Sequence, residues 1–206
     1  MQVSSLREQT LAIIRQSLVA GEYKSGDIIS AAAMASHLNV SNSPVREAML
    51  ELVSQGILEV VRNRGFRVVP MSDHDLDEVY EMRLWLESRA ARELAARRID
   101  VEDSRPLALL TLERARAMMI PEFLDADRRF HLSLLERLGN SRLNKIVENL
   151  RDQTRLYGIQ ELALAGKLES SGQEHMDIID AINSGDPDAA EAAVVRHLAH
   201  VRSDWS

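Results

Sequence analysis

The chain has 206 residues, with 25 Lys and Arg against 32 Asp and Glu, and a formal net charge of -7. That length suits one large domain or two ordinary ones, and 45% hydrophobic with 28% charged residues excludes collagen-like, low-complexity and wholly disordered chains. The absence of Cys excludes a disulfide framework, a thiolate nucleophile and any Cys-based zinc or iron–sulfur site.

Few aromatics, at 4%, and only 9 Gly favour helices over a β-sandwich. No apolar run is long enough to span a bilayer, and Met1 to Leu11 lack the basic and apolar regions of a signal peptide. A cytoplasmic protein is expected. An acidic total argues against nucleic acid until the charges are located. Residues 1–72 hold 7 basic and 6 acidic residues, a balance of +1, which leaves 18 basic and 26 acidic residues, or -8, for residues 73–206. Composition also changes near Pro70–Asp75, from short elements and turns to long Leu-, Ala-, Arg- and Glu-rich patterns. The domain boundary is placed at about Ser72.

In the first segment, Ser4 or Ser5 can cap a helix whose apolar face takes Leu6, Ile13, Ile14 and Leu18, with Gly21 as its stop. Ser30 can cap a second helix, Ala31 to Leu38. After the tight connection Asn39-Val40-Ser41, either Ser41 or Asn42 can cap a third, with Pro44 in its first turn. Val45, Met49, Leu52 and Val53 supply its buried face. Two strand patterns follow, Ile57 to Val61 and Phe66 to Val69, joined by the polar turn Arg62-Asn63-Arg64-Gly65. Helix, helix, short turn, helix, hairpin is the order of a winged helix-turn-helix.

The run Leu38-Asn39-Val40-Ser41-Asn42-Ser43-Pro44-Val45-Arg46-Glu47-Ala48, followed by Gly56-Ile57-Leu58 and the Arg64-Gly65 tip, resembles the DNA-binding domain of the GntR family of bacterial transcription regulators. The resemblance implies that the third helix enters the DNA major groove. Arg46 is expected on guanine, Ser41, Asn42 and Ser43 on phosphate or a base, and Arg62, Arg64 and the Gly65 backbone in the neighbouring minor groove. Taken alone, Arg46 also reads as a solvated surface residue paired with a nearby Glu. Two departures stand out. The family usually reads Glu-Arg-Glu where this chain has Ala31-Ala32-Ala33, and a further Arg where it has Asn42. Fewer ionic contacts imply weaker affinity and a shallower salt dependence.

The second segment reads as six amphipathic helices: Asp75 to Arg97, with Leu76, Val79, Met82, Leu86 and Leu94 apolar; Glu102 to Met118; Pro121 to Leu138; about Leu164 back to a Ser141 cap; Glu169 to Asn183; and Pro187 to about Val201. The expected fold is mainly α, an N-terminal winged helix-turn-helix followed by an antiparallel all-helical bundle. Asp127 and His131 lie four apart on one helix face, while His175, His197 and His200 fall on the last two helices. Any three imidazoles with a carboxylate suit Zn²⁺, Ni²⁺, Mn²⁺ or Fe²⁺, although scattered His are also ordinary surface or core residues.

Asp127-x-x-Phe130-His131, Gly139-Asn140-Ser141-x-Leu143, Glu174-His175 and Arg196-His197-Leu198 make residues 75–202 similar to the FCD ligand-binding domain of the FadR subfamily, in its compact six-helix branch. That resemblance implies a divalent metal, zinc first, held by Asp127, His131, His175 and His197. His200 is the alternative donor. It also implies a small organic acid beside the metal, anchored by Arg83 or Arg155; Arg83 reads equally as an exposed residue paired with Glu87. The expected protein is a homodimeric repressor on a near-palindromic double-stranded DNA operator, modulated by a small carboxylate. Its rivals are a metal-dependent helical enzyme acting on a small acid and a direct metal sensor. The enzyme has no use for a winged helix, and a di-iron bundle would need paired Glu-x-x-His sets that this chain lacks.

Overall fold

The structure, a computed structural model, describes residues 5–19, 22–154, 163 and 166–203. They form two compact units, residues 1–72 and 73–206.

The first unit opens on α1 (Leu6–Val19), started by a reciprocal capping box. The Glu8 amide donates to Ser5 Oγ at 3.2 Å, and the Ser5 amide donates to Glu8 Oε2 at 2.9 Å. Leu11, Ile14 and Leu18 face the core, whereas Leu6 and Ile13, expected on that face, are exposed. Strand β1 (Ile28–Ile29) leads into α2 (Ala31–Leu38), where the Ser30 hydroxyl accepts from the Ala33 amide. Helix α3 (Asn42–Ser54) buries Val45, Ala48, Met49 and Leu52. Ala48 joins the buried face as well, while Val53, expected on it, is only half-buried.

Strands β2 (Leu58–Val61) and β3 (Gly65–Val68) form the hairpin, and the antiparallel sheet runs β1-β3-β2. Opposed residues Glu59 and Arg67 pair at 2.5 Å across it. Gly65 has φ 128, and a Cβ there would lie 2.4 Å from the Ile29 carbonyl oxygen. Glycine is therefore required for β1 to close onto β3, a structural demand beside any role at the DNA.

The second unit begins with α4 (Asp73–Arg83), a wide π turn (Leu84–Ser88) and α5 (Arg89–Ala96) on one continuous path. The single helix expected over 75–97 is thus present with a change of phase in its middle. Its buried side takes Arg83 and Glu87, while Met82, expected there from its spacing, is 39% exposed. A 3₁₀ turn (Glu102–Ser104) precedes α6 (Arg105–Arg116), with Pro106 in its first turn. Next come α7 (Ile120–Glu136), α8 (Ser141–Thr154), α9 (Leu168–Asn183) and α10 (Pro187–Ser203). Asn140, rather than Ser141, caps α8, its Oδ1 accepting from the Leu143 amide at 3.1 Å. The expected continuation of α8 toward Leu164 falls largely outside the described residues. Asp186 caps α10 by accepting from the Asp188 and Ala189 amides, and Pro187 takes the first helical position, where no N–H is missed. Phe130, Leu94, Ile178, Ile179, Ile182 and Leu198 pack together as the core of this unit.

Candidate functional site

Three helices of the second unit bring four polar side chains together in its interior. Asp127 and His131 come from α7, His175 from α9 and His197 from α10, and one donor atom from each lies within 4.8 Å of all the others. The three imidazoles are almost fully buried. His131 Nε2 is 3.2 Å from His175 Nε2, and Asp127 Oδ1 is 3.6 and 3.3 Å from those two nitrogens. Two nitrogens each about 2.0–2.1 Å from a shared tetrahedral ion would sit roughly 3.3 Å apart.

The outer nitrogens explain the orientation of the rings. Thr111 Oγ1 donates to the Ala108 carbonyl at 2.7 Å, so its lone pairs accept the His175 Nδ1–H at 2.9 Å. His197 Nδ1 donates to Glu174 Oε2 at 2.9 Å. His131 Nδ1 faces Glu87 Oε2 at 3.4 Å. Each ring thus directs Nδ1 at an oxygen acceptor, which leaves Nε2 with its lone pair inward. The inward His197 Nε2 is buried and has no hydrogen-bond partner. Unprotonated nitrogens converging in a dry site repel one another unless a cation lies between them, so the donor set fits a divalent metal. His200, the alternative donor, is exposed and spends its Nδ1 on Glu174.

Around this cluster runs a buried ion network that sequence reasoning largely missed. Arg83 Nε donates to Glu87 Oε1 at 2.9 Å, and Arg151 Nε donates to Glu87 Oε2 at 3.1 Å. Arg151 Nη1 donates to Asp127 Oδ2 at 3.1 Å, which holds the second carboxylate oxygen away from the imidazoles. Arg83 therefore pairs with Glu87, as one reading expected, but inside the protein rather than at its surface. Arg155 lies outside the described residues. A small cavity lined by Glu87, His131, Ala91, Leu94, Leu134 and Val194 opens beside the network.

Burial works to raise the Glu87 carboxyl, yet the Arg151 and Arg83 guanidiniums outweigh it and hold the group below the ordinary carboxylate range. The same contest lowers Asp127, with His175 and Arg151 prevailing over burial. Burial pushes His131 well down, with Arg151 adding to the effect. Burial also pushes His175 down to about 4, against the opposing pull of Asp127.

This gives the metal-free protein an acid limit. Once unfolded, the His175 imidazole takes up a proton near its ordinary 6.5, but folded it does so only near 4. The unfolded chain binds more protons across that window, so stability falls as pH drops through it. At pH 5 the loss from His175 alone is about 2 kcal/mol relative to neutral pH. Urea midpoints measured at neutral pH and at pH 5 check this; equal midpoints contradict it.

In the first unit, Ser41, Asn42, Ser43 and Arg46 lie exposed at the start of α3, and Arg62 and Arg64 lie exposed in the turn before Gly65. Ser41 has the backbone of an N-cap but its side chain makes no cap bond. Ser43 donates to Glu47 Oε1 at 3.1 Å, and Glu51 pairs with Arg7 at 3.0 Å. The nearby acids are thus engaged elsewhere, and Arg46 has no ion pair among the described residues.

Residues 6–68 match the model of the gntR family of bacterial regulatory proteins, and residues 78–200 match the FCD domain. The chain is 27% identical over 191 residues to the HTH-type transcriptional regulator YdhC of Bacillus subtilis, covering 91% of this chain and 85% of that protein. It is 28% identical over 171 residues to the gluconate operon transcriptional repressor of the same organism, covering 81% and 68%. Its fold is that of E. coli McbR/YncC, with a TM-score of 0.83 at 23% identity over 98% of this chain and 97% of the other. Among the described residues no helix is long and apolar enough to cross a membrane. The chain belongs to the GntR family, with an FCD domain after its winged helix-turn-helix, and is a DNA-binding transcription regulator rather than an enzyme.

Proposed function

We propose that this regulator is a cytoplasmic homodimeric repressor of the FadR subfamily whose grip on a near-palindromic operator is modulated by a small carboxylate bound beside a divalent metal. The observation that carries the metal half is the inward, partnerless His197 Nε2 beside His131, His175 and Asp127. Three nitrogens and one oxygen suit Zn²⁺, and Ni²⁺, Mn²⁺ or Fe²⁺ accept the same donors. When bound, the metal supplies an open coordination position for a carboxylate. Arg83 is the proposed anchor for the other end of the acid, with Arg155 as the second candidate, and the neighbouring cavity gives the carbon chain an apolar wall.

Ser41, Asn42, Ser43 and Arg46 are the proposed major-groove contacts, with Arg62, Arg64 and the Gly65 backbone in the minor groove. Two such units in a dimer read two half-sites one helical turn apart. The effector changes affinity only by binding the DNA-bound and DNA-free arrangements unequally.

The test is a mobility shift on DNA upstream of the protein's own gene, with and without metal and candidate acids. Operator binding that Arg46→Ala weakens about 10- to 100-fold, and that an acid relieves only when metal is present, supports the reading. Absence of DNA binding under every condition overturns it. Relief by metal alone would favour the direct metal sensor.

A further inference from the structure

We infer that Asn42 is a base-reading residue that selects adenine, and that with Arg46 it sets a paired A and G preference in each operator half-site. The inference rests on the DNA-binding role proposed for α3 and adds the base identity at one position.

Asn usually serves a helix start by capping it. Here Ser41 holds the cap position, with φ -69 and ψ 160, and Asn42 is the first residue inside α3. The Asn42 amide makes no hydrogen bond among the described residues, and its side chain is exposed. It therefore supports neither the helix end nor the core of the unit. The other side chains of this turn are accounted for. Ser43 is engaged with Glu47, Pro44 is half-buried and Val45 is buried. That leaves Asn42 and Arg46, beside the short Ser41 hydroxyl, as outward groups of α3 with donors uncommitted among the described residues, and the two long side chains stand one turn apart on one helix face.

Their chemistry is complementary to different bases. The Asn carboxamide places one acceptor and one N–H donor side by side, which matches the N6–H donor and N7 acceptor of adenine. The Arg guanidinium presents two donors, which match O6 and N7 of guanine. Residues four apart on a helix stand about 6 Å apart, and base pairs rise 3.4 Å, so the two preferences fall about two base-pair steps apart or closer. An Asn at this position also adds no charge, so it contributes to the choice of sequence without steepening the salt dependence.

The experiment is selection from randomised duplexes with the full-length protein, repeated for Asn42→Ala, Asn42→Arg and Arg46→Ala. The expected wild-type site carries adenine in one column and guanine within two pairs of it. Asn42→Ala erases the adenine column alone, and replacing that A·T pair costs the wild type about tenfold or more in affinity but costs the variant little. Asn42→Arg converts the column to guanine, and Arg46→Ala erases the neighbouring guanine. An unchanged column in Asn42→Ala overturns the inference while DNA binding by α3 stands. Failure of the wild-type protein to enrich any sequence overturns both. Asn42 is exposed and has no partner among the described residues, so matching unfolding midpoints for the variants confirm that the fold is not at issue.

Discussion

Replacing Arg151 with Met destabilises the second unit by about 3–5 kcal/mol, because it leaves a buried carboxylate without its counter-charge. Arg151 is 3% exposed and bridges Glu87 to Asp127. Arg83 and Arg151 supply two positive charges against the two negative charges of Glu87 and Asp127. Deleting one guanidinium leaves an excess negative charge in a region from which water is largely excluded. Met fills the space of the alkyl stem, so the loss is electrostatic rather than a cavity. The same argument fixes the compensating change. Adding Asp127→Asn to Arg151→Met restores one cation against one anion, Arg83 with Glu87 at 2.9 Å, and recovers a large part of the loss in the metal-free protein. Thermal unfolding of the wild type and of the single and double variants provides the measurement. A single variant within about 1 kcal/mol of the wild type, the scale of an exposed ion pair, shows that the network carries no stability.

That network also marks the limit of what the sequence discloses. The helices were legible, because apolar residues at helical spacing, Gly and Pro punctuation and capping side chains act locally. Asp127 and His131 were legible as a pair for the same reason, being four apart on one helix. His175 and His197 could be added through the FCD resemblance, since nothing local says which faces of α9 and α10 turn toward α7. Arg151 carries no such mark. It sits within Asn149-Leu150-Arg151-Asp152 and reads as a polar position on a surface helix. Only the convergence of α8 with the π turn and α7 places it inside. Met82 and Arg83 show the converse error: periodicity assigns the interior to the methionine, whereas the structure exposes it and buries the arginine, whose partner Glu87 lies on the π turn. A pattern with a fixed 3.6-residue period cannot register that change of phase. Thr111, which fixes the His175 tautomer, is likewise silent, since a hydroxyl four residues after Leu107 on a helix is unremarkable until the imidazole arrives from α9.

Metal content is expected to fall to near zero in His131→Ala while the wild type retains about one divalent ion per chain after dialysis. Removing His131 takes away a nitrogen 3.2 Å from that of His175 and leaves two imidazoles and one carboxylate, three protein donors in place of four. The outer acceptors grade the effect. Glu174→Gln keeps all four donors but weakens the acceptor that holds His197 Nδ1–H, and is expected to cost about 10- to 100-fold in metal affinity. His200→Ala should leave metal content unchanged, because His200 is exposed, bonds to Glu174 and is not one of the four converging donors. Stability follows the same order, since an ion that binds only the folded chain at a hundredfold excess over its Kd adds about 2.7 kcal/mol. Elemental analysis and thermal unfolding of these four proteins and of His175→Ala and His197→Ala, with and without added zinc, separate the outcomes. Metal content unchanged in His131→Ala removes this residue from the ligand set. A zinc-induced rise in Tm that survives His131→Ala, His175→Ala and His197→Ala alike places the stabilising ion elsewhere on the chain.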